Sequence, residues 1–132
     1  MAIDPGGSSG YATLALDQQT FYVHVWKDVP DMLHHIVAHK PQYLIVEDFQ
    51  TSQYLSPQAR QVILTIGSLI GLSVVLEVPI RIQAPSRRKA FIREATDLLG
   101  KAVTPHEIDA LAHLLSVKHT GDPLSWTIKS KV

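Results

Sequence analysis

MAIDPGGSSGYATLALDQQTFYVHVW, residues 1–26, opens the chain with three short runs of strand formers, and these set the fold class. Ala2-Ile3-Asp4 is apolar up to an aspartate that meets Pro5-Gly6-Gly7, a turn sequence. Residues 10–17 and 20–26 are rich in Tyr, Val, Thr, Phe and Trp, side chains that fit a pleated surface. The Asp17-Gln18-Gln19 turn between them predicts a hairpin, so the chain starts with three antiparallel strands. Beyond them helix and strand alternate. Pro30-Asp31 starts a short helix to about His39, closed by Lys40-Pro41. The strand at 43–48 is almost wholly apolar before Glu47, as in a strand covered on both faces.

Ser56-Pro57 begins a long helix to about Val78, which Pro79 ends. Residues 80–84 form a fifth strand, followed by the loop Pro85-Ser86-Arg87-Arg88-Lys89 and a helix over 88–99. The last helix has a strong start signal: Thr104 as cap, Pro105 at the first position and Glu107 completing a capping box. This succession is an α/β domain over residues 1–121, with a mixed five-stranded sheet flanked by helices, and a peripheral tail at 122–132.

Composition narrows the function classes. The 132 residues can bury a core without staples, and 45% hydrophobic with 18% charged residues is ordinary for a soluble globular protein. There is no cysteine, which excludes disulfides and thiolate metal sites. Twelve Lys plus Arg balance twelve Asp plus Glu, so any contact with nucleic acid must come from a local basic patch. Asp4 and the glycine turn interrupt any secretory signal, and no membrane attachment is expected. The uncharged run between Arg60 and Glu77 has sixteen residues, short of the ~20 that cross a bilayer, and reads as a buried helix.

Four side chains carry candidate chemistry. Asp4 and Glu47 end two strands, while His106 and Asp109, three apart, share one face of a helix's first turn. Acids delivered from strand ends and a helix turn are what a fold needs to hold hard divalent cations. Each also has an ordinary reading on its own: Asp4 as a turn residue, Glu47 as an exposed strand end, His106 as a half-exposed polar residue, and Asp109 as an acid complementing a helix dipole. The basic run Arg87-Arg88-Lys89 with Arg93, and Lys101 after it, reads either as a phosphate grip or as a solvated face. His35 and His39, four apart on a helix beside His34, lack an evident third ligand. Gly6-Gly7-Ser8-Ser9-Gly10 lacks the Gly-Lys-Ser/Thr ending of a phosphate loop. The long helix has apolar residues around more than one stripe, and Gly67 and Gly71 on one face allow close approach of a second backbone.

Three segments resemble the motifs of RuvC-type Holliday junction resolvases, within the RNase H-like superfamily. Ile3-Asp4-Pro5-Gly6 with Gly10-Tyr11-Ala12 is similar to the family's first strand, and Tyr43-Leu44-Ile45-Val46-Glu47 to its fourth. His106-Glu107-Ile108-Asp109-Ala110-Leu111-Ala112 resembles its closing helix, with histidine where many members have aspartate. The likeness spans roughly residues 1–119 in the family's order, and the chain is short, as in small phage-type members. It implies an RNase H-like fold and an endodeoxyribonuclease that resolves four-way junctions in recombination and repair, in a bacterial or phage-infected cytoplasm. Asp4, Glu47, His106 and Asp109 would hold two Mg²⁺ or Mn²⁺ ions, ~3.5–4 Å apart, for phosphodiester hydrolysis. Empty, such a cluster should raise at least one carboxylate pKa, and protonation of His106 near its usual ~6.5 should cost activity. Arg87, Arg88, Lys89 and Arg93 would contact DNA, Phe49 or Tyr54 could stack on an unpaired base, and the helix at 56–78 would form a homodimer that cuts two strands. The other readings left open are a nuclease for other branched DNA or RNA–DNA hybrid, and a non-catalytic nucleic-acid-binding member of the fold.

Overall fold

The structure, a computed structural model, describes residues 1–6, 9–14, 21–49, 56–100 and 104–120. Five strands form one mixed sheet: β1 (Ala2–Asp4), β2 (Ser9–Leu14), β3 (Phe21–Trp26), β4 (Leu44–Glu47) and β5 (Ile80–Gln83), in the spatial order β3-β2-β1-β4-β5. β3, β2 and β1 pair antiparallel, and β1, β4 and β5 run parallel. The helices are α1 (Val29–His39), α2 (Pro57–Leu76), α3 (Ile92–Leu99) and α4 (Pro105–Thr120), with a 3₁₀ segment at Pro85–Phe91. The α/β fold with a mixed five-stranded sheet matches the sequence expectation. The 122–132 tail and the turn at 17–19 lie outside the described residues.

Alternation along β1 and β4 divides the core. Ile3, Leu44 and Val46, with Ile80 of β5, face α1 and α2, where Met32, Ile36 and Leu69 are buried with them. Ala2 and Ile45 face α3 and α4, where Ala95, Leu111 and Leu115 complete a second cluster. Both faces of β4 are thus covered, which is why its sequence is a continuous apolar run.

Local chemistry sets the element ends. Asp28 caps α1 by accepting a hydrogen bond from the Asp31 N–H at 3.0 Å, two residues before the start read from Pro30. Ser56 caps α2 in the same way, accepting from the Ala59 N–H at 3.1 Å. At α4, the Thr104 hydroxyl reaches the Glu107 carboxylate at 3.4 Å. The helix expected over 88–99 divides in two: Pro85–Phe91 winds as a tighter 3₁₀ turn, with the Arg87 N–H donating to the Ala84 carbonyl at 3.0 Å, before α3 begins.

α2 corrects one expectation. Only a narrow stripe, Ala59, Thr65, Leu69 and Ser73, is buried, while Leu64 is 65% and Val75 78% exposed. The Thr65 and Ser73 hydroxyls donate back to the carbonyls of Gln61 and Ile70, so their burial leaves no polar group unmet. By length and composition alone this 20-residue helix could cross a membrane, yet its inner stripe packs on the sheet. It is a surface helix with an apolar back, not a buried one.

Candidate active site

Strand register assembles the first half of the site. β1 pairs Ala2 with Ile45 and Ile3 with Val46, so one step further along Asp4 neighbours Glu47. Glu47 in turn is paired with Gln83 of β5. Residues two apart share a face, so Asp4 and Glu47 project to the α4 side with Ala2 and Ile45. The C-terminal ends of three parallel strands therefore present Asp4, Glu47 and Gln83 in a row.

The second half comes from α4, whose first turn crosses β2 at Gly10. A methyl at Gly10 would fall on the His106 carbonyl, so the crossing requires glycine there. The close approach brings His106 Nδ1 to 3.0 Å from Asp4 Oδ2. Asp109 and His113 follow at three and seven residues, on the same inward side. His113 is fully buried, with Nε2 2.7 Å from Glu47 Oε2 and Nδ1 2.7 Å from the Gln83 amide nitrogen. Gln83 donates to Nδ1, which leaves Nε2 carrying the proton and donating to Glu47. Glu47 is thereby fixed in direction from below.

Arg88 closes the cluster from the 3₁₀ segment. Its Nη1 donates to Glu47 Oε2 at 2.5 Å, and its Nε lies 3.4 Å from Asp109 Oδ1. These contacts engage one oxygen of each acid: Asp4 Oδ2, Glu47 Oε2 and Asp109 Oδ1. Among the described residues, no three Asp, Glu or His side chains close around a single point as they do about a bound ion. A guanidinium stands between two of the acids instead.

The electrostatics record burial first and crowded negative charge second. Burial pushes the Asp4 carboxyl up to about 6, and Glu47 and Asp109 add to the rise against the opposing His106 hydrogen bond. Asp109 is also raised, by burial first and then by Glu47, with Arg88 opposing. Burial would raise Glu47 too, but the hydrogen bonds from His113 and Arg88 override it and hold that carboxyl low. Two carboxyls are raised, as expected of an empty cluster, but burial and not mutual repulsion is the larger cause. Three carboxylates, each with a second oxygen outside the contacts above, together with an imidazole, form a donor set that suits a hard divalent cation.

The three acids and the imidazole predicted from the sequence thus gather at one end of the sheet. Arg88 is placed differently from its expected role, since its guanidinium is turned inward onto Glu47 and Asp109 and not outward to a phosphate. Arg87, Lys89 and Arg93 are exposed around it, and Phe49 is half-buried two residues beyond Glu47. Tyr54 and Lys101 lie outside the described residues. His35 and His39 lie 4.0 Å apart between ring centroids with their planes tilted, in an aromatic group with Tyr11 and Trp26 on the opposite face of the sheet. Sequence reasoning missed His113 and Gln83. His113 stands four residues after Asp109, which was a readable signal; Gln83 needed the strand register.

No family model and no curated protein sequence matches the chain. Solved structures do. A Thermus thermophilus RuvC in complex with a Holliday junction substrate is 20% identical, with 91% of this chain and 94% of that one aligned at a TM-score of 0.71. Another Thermus thermophilus RuvC structure is 19% identical, with 91% and 95% aligned at 0.66. At these identities the likeness is one of architecture, and it spans nearly the whole of both chains: this protein has the RuvC-like, RNase H-like fold.

Proposed function

We propose that the protein is a metal-dependent endonuclease that cuts branched DNA, resolving four-way junctions by phosphodiester hydrolysis. One observation carries the reading: Asp4, Glu47 and Asp109, delivered from β1, β4 and α4 of a RuvC-like fold, meet at one end of the sheet with the Asp4 carboxyl raised to about 6. Asp4, Glu47, Asp109 and His106 are the residues that would hold Mg²⁺ or Mn²⁺, two ions per site. Such ions, when bound, activate a water and stabilise the leaving oxygen. The chain's own part is to fix the ligands. His113 and Gln83 orient Glu47, the Gly10 crossing sets His106 beside Asp4, and the first turn of α4 carries Asp109. Arg87, Lys89 and Arg93 would meet backbone phosphates, and Phe49 at the rim would stack on an unpaired base.

The apolar back of α2 supports a homodimer. Ile63, Leu64, Val74 and Val75 are exposed, and neither Gly67 nor Gly71 has a neighbour where a side chain would sit, so a second helix could approach closely. Two sites related by a two-fold axis would serve two strands of a junction. The test is cleavage of labelled four-way, flap and RNA–DNA hybrid substrates with Mg²⁺, Mn²⁺ or chelator. Junction cutting that needs metal, and that Asp109→Asn abolishes without loss of junction binding, is the expected result. Binding without metal-dependent cleavage of any substrate would make the protein a scaffold.

A further inference from the structure

Arg88 is the cation that the acidic cluster holds, and it engages two of the carboxylates that a divalent ion would need. Its guanidinium spans Glu47 Oε2 and Asp109 Oδ1 with two of its nitrogens. A divalent ion bound by the same pair would lie within a few ångströms of that positive charge, in a half-buried site where screening is weak. The two cations therefore compete.

The surroundings allow an exchange. The Arg88 side chain is 27% exposed, which opens a path to solvent. Its backbone lies in the 3₁₀ segment, whose hydrogen-bond geometry is poorer than that of an α-helix and adjusts more readily. The acids stay in place without it, because Glu47 keeps its bond to His113, backed by Gln83, and Asp109 is fixed on α4. We infer that Arg88 is a resident counter-cation which divalent metal displaces, so that metal entry and release of the guanidinium from Glu47 and Asp109 are one event. This rests on the metal-centre reading above and adds that the metal-free site is held together by the chain's own charge.

The test is metal binding, not cleavage. Mg²⁺ and Mn²⁺ are titrated calorimetrically into the full chain without DNA, as wild type, Arg88→Gln, Arg88→Lys and Asp109→Asn. Arg88→Gln should bind metal about tenfold or more tighter than wild type, with Arg88→Lys between them and Asp109→Asn weaker than wild type. A merely structural arginine predicts the reverse, since its loss would loosen the site. In parallel, the Arg88 Nε–H resonance, assigned by its disappearance in Arg88→Lys, should shift as wild type takes up Mg²⁺. Folded Arg88→Gln that binds metal no tighter than a metal-binding wild type overturns the exchange and leaves the metal centre standing. If neither protein binds either ion at millimolar concentration, the metal centre and the exchange both fall. If Arg88→Gln does not fold, an Arg88 resonance unmoved at saturating Mg²⁺ overturns the exchange.

Discussion

Replacing Asp4 by Asn should make the metal-free protein more stable while destroying the proposed metal site. The Asp4 carboxyl lies at about 6 in the fold against an ordinary 3.8, and the residue is 8% exposed. A raised acid pKa means that the folded state binds the proton more tightly than the unfolded state, so ionisation of Asp4 costs stability. The cost is absent below the unfolded value near 3.8, grows as pH rises towards 6, and is complete above about 7. Two pKa units correspond to about 3 kcal/mol. Asparagine keeps the shape and removes the charge, but weakens the hydrogen bond to His106 by ~1 kcal/mol, leaving a gain of about 2 kcal/mol. That is roughly 5–10 °C in Tm for a domain of this size. Urea unfolding in chelator at pH 8, 6 and 4 reads the effect: the advantage of Asp4→Asn should be full at pH 8 and vanish by pH 4. Saturating Mg²⁺ should reverse the order, by stabilising wild type alone. An Asp4→Asn protein less stable than wild type at pH 8, or a difference that ignores pH, would refute the burial of an ionised Asp4 beside Glu47 and Asp109.

Cleavage at limiting Mg²⁺ should fall by up to tenfold per unit as pH drops below about 6, because a protonated Asp4 no longer ligates. The same limb should persist in His106→Asp; its disappearance would assign the proton to His106, and a flat rate from pH 5.5 to 8 in wild type would contradict both. His113→Ala should cost about 2–4 kcal/mol of stability, as it opens a cavity and removes the donor to Glu47, and should weaken metal binding by ~10–100-fold in calorimetry. Gly10→Ala should lower stability by about 1–3 kcal/mol by driving β2 and α4 apart, seen as loss of metal binding together with a lower Tm. Leu64→Glu with Val75→Glu should convert the proposed dimer into the 14.6 kDa monomer in sedimentation, without lowering Tm in dilute solution.

What could be read in advance followed from how each residue is constrained. β1 and β4 are buried between two helical layers, so they had to be apolar up to their last residue, and the acids at their ends stood out against that background. The start of α4 was legible because a threonine, a first-turn proline and a glutamate stand within one turn, and the threonine hydroxyl bonds the glutamate. His113 was hidden for the opposite reason: in Ala110-Leu111-Ala112-His113-Leu114-Leu115 a buried histidine looks like an interruption of the apolar stripe, and only Glu47 and Gln83 above it give it a purpose. Arg88 sits in a run of three basic residues, and composition says how much charge is there but not which way each side chain turns. Its neighbours Arg87 and Lys89 are exposed, while the tight 3₁₀ turn directs Arg88 inward. α2 showed more apolar surface than one stripe needs, and the excess is what the structure leaves outside.

The decisive measurement on the metal centre is a crystal of the full chain grown with Mn²⁺, with anomalous scattering collected at the manganese edge. Peaks bounded by Asp4, Glu47 and Asp109, with the Arg88 guanidinium turned away from them, are predicted. No manganese between those three carboxylates at saturating concentration, with Arg88 still bridging Glu47 and Asp109, would leave the acids as a site for arginine and not for metal.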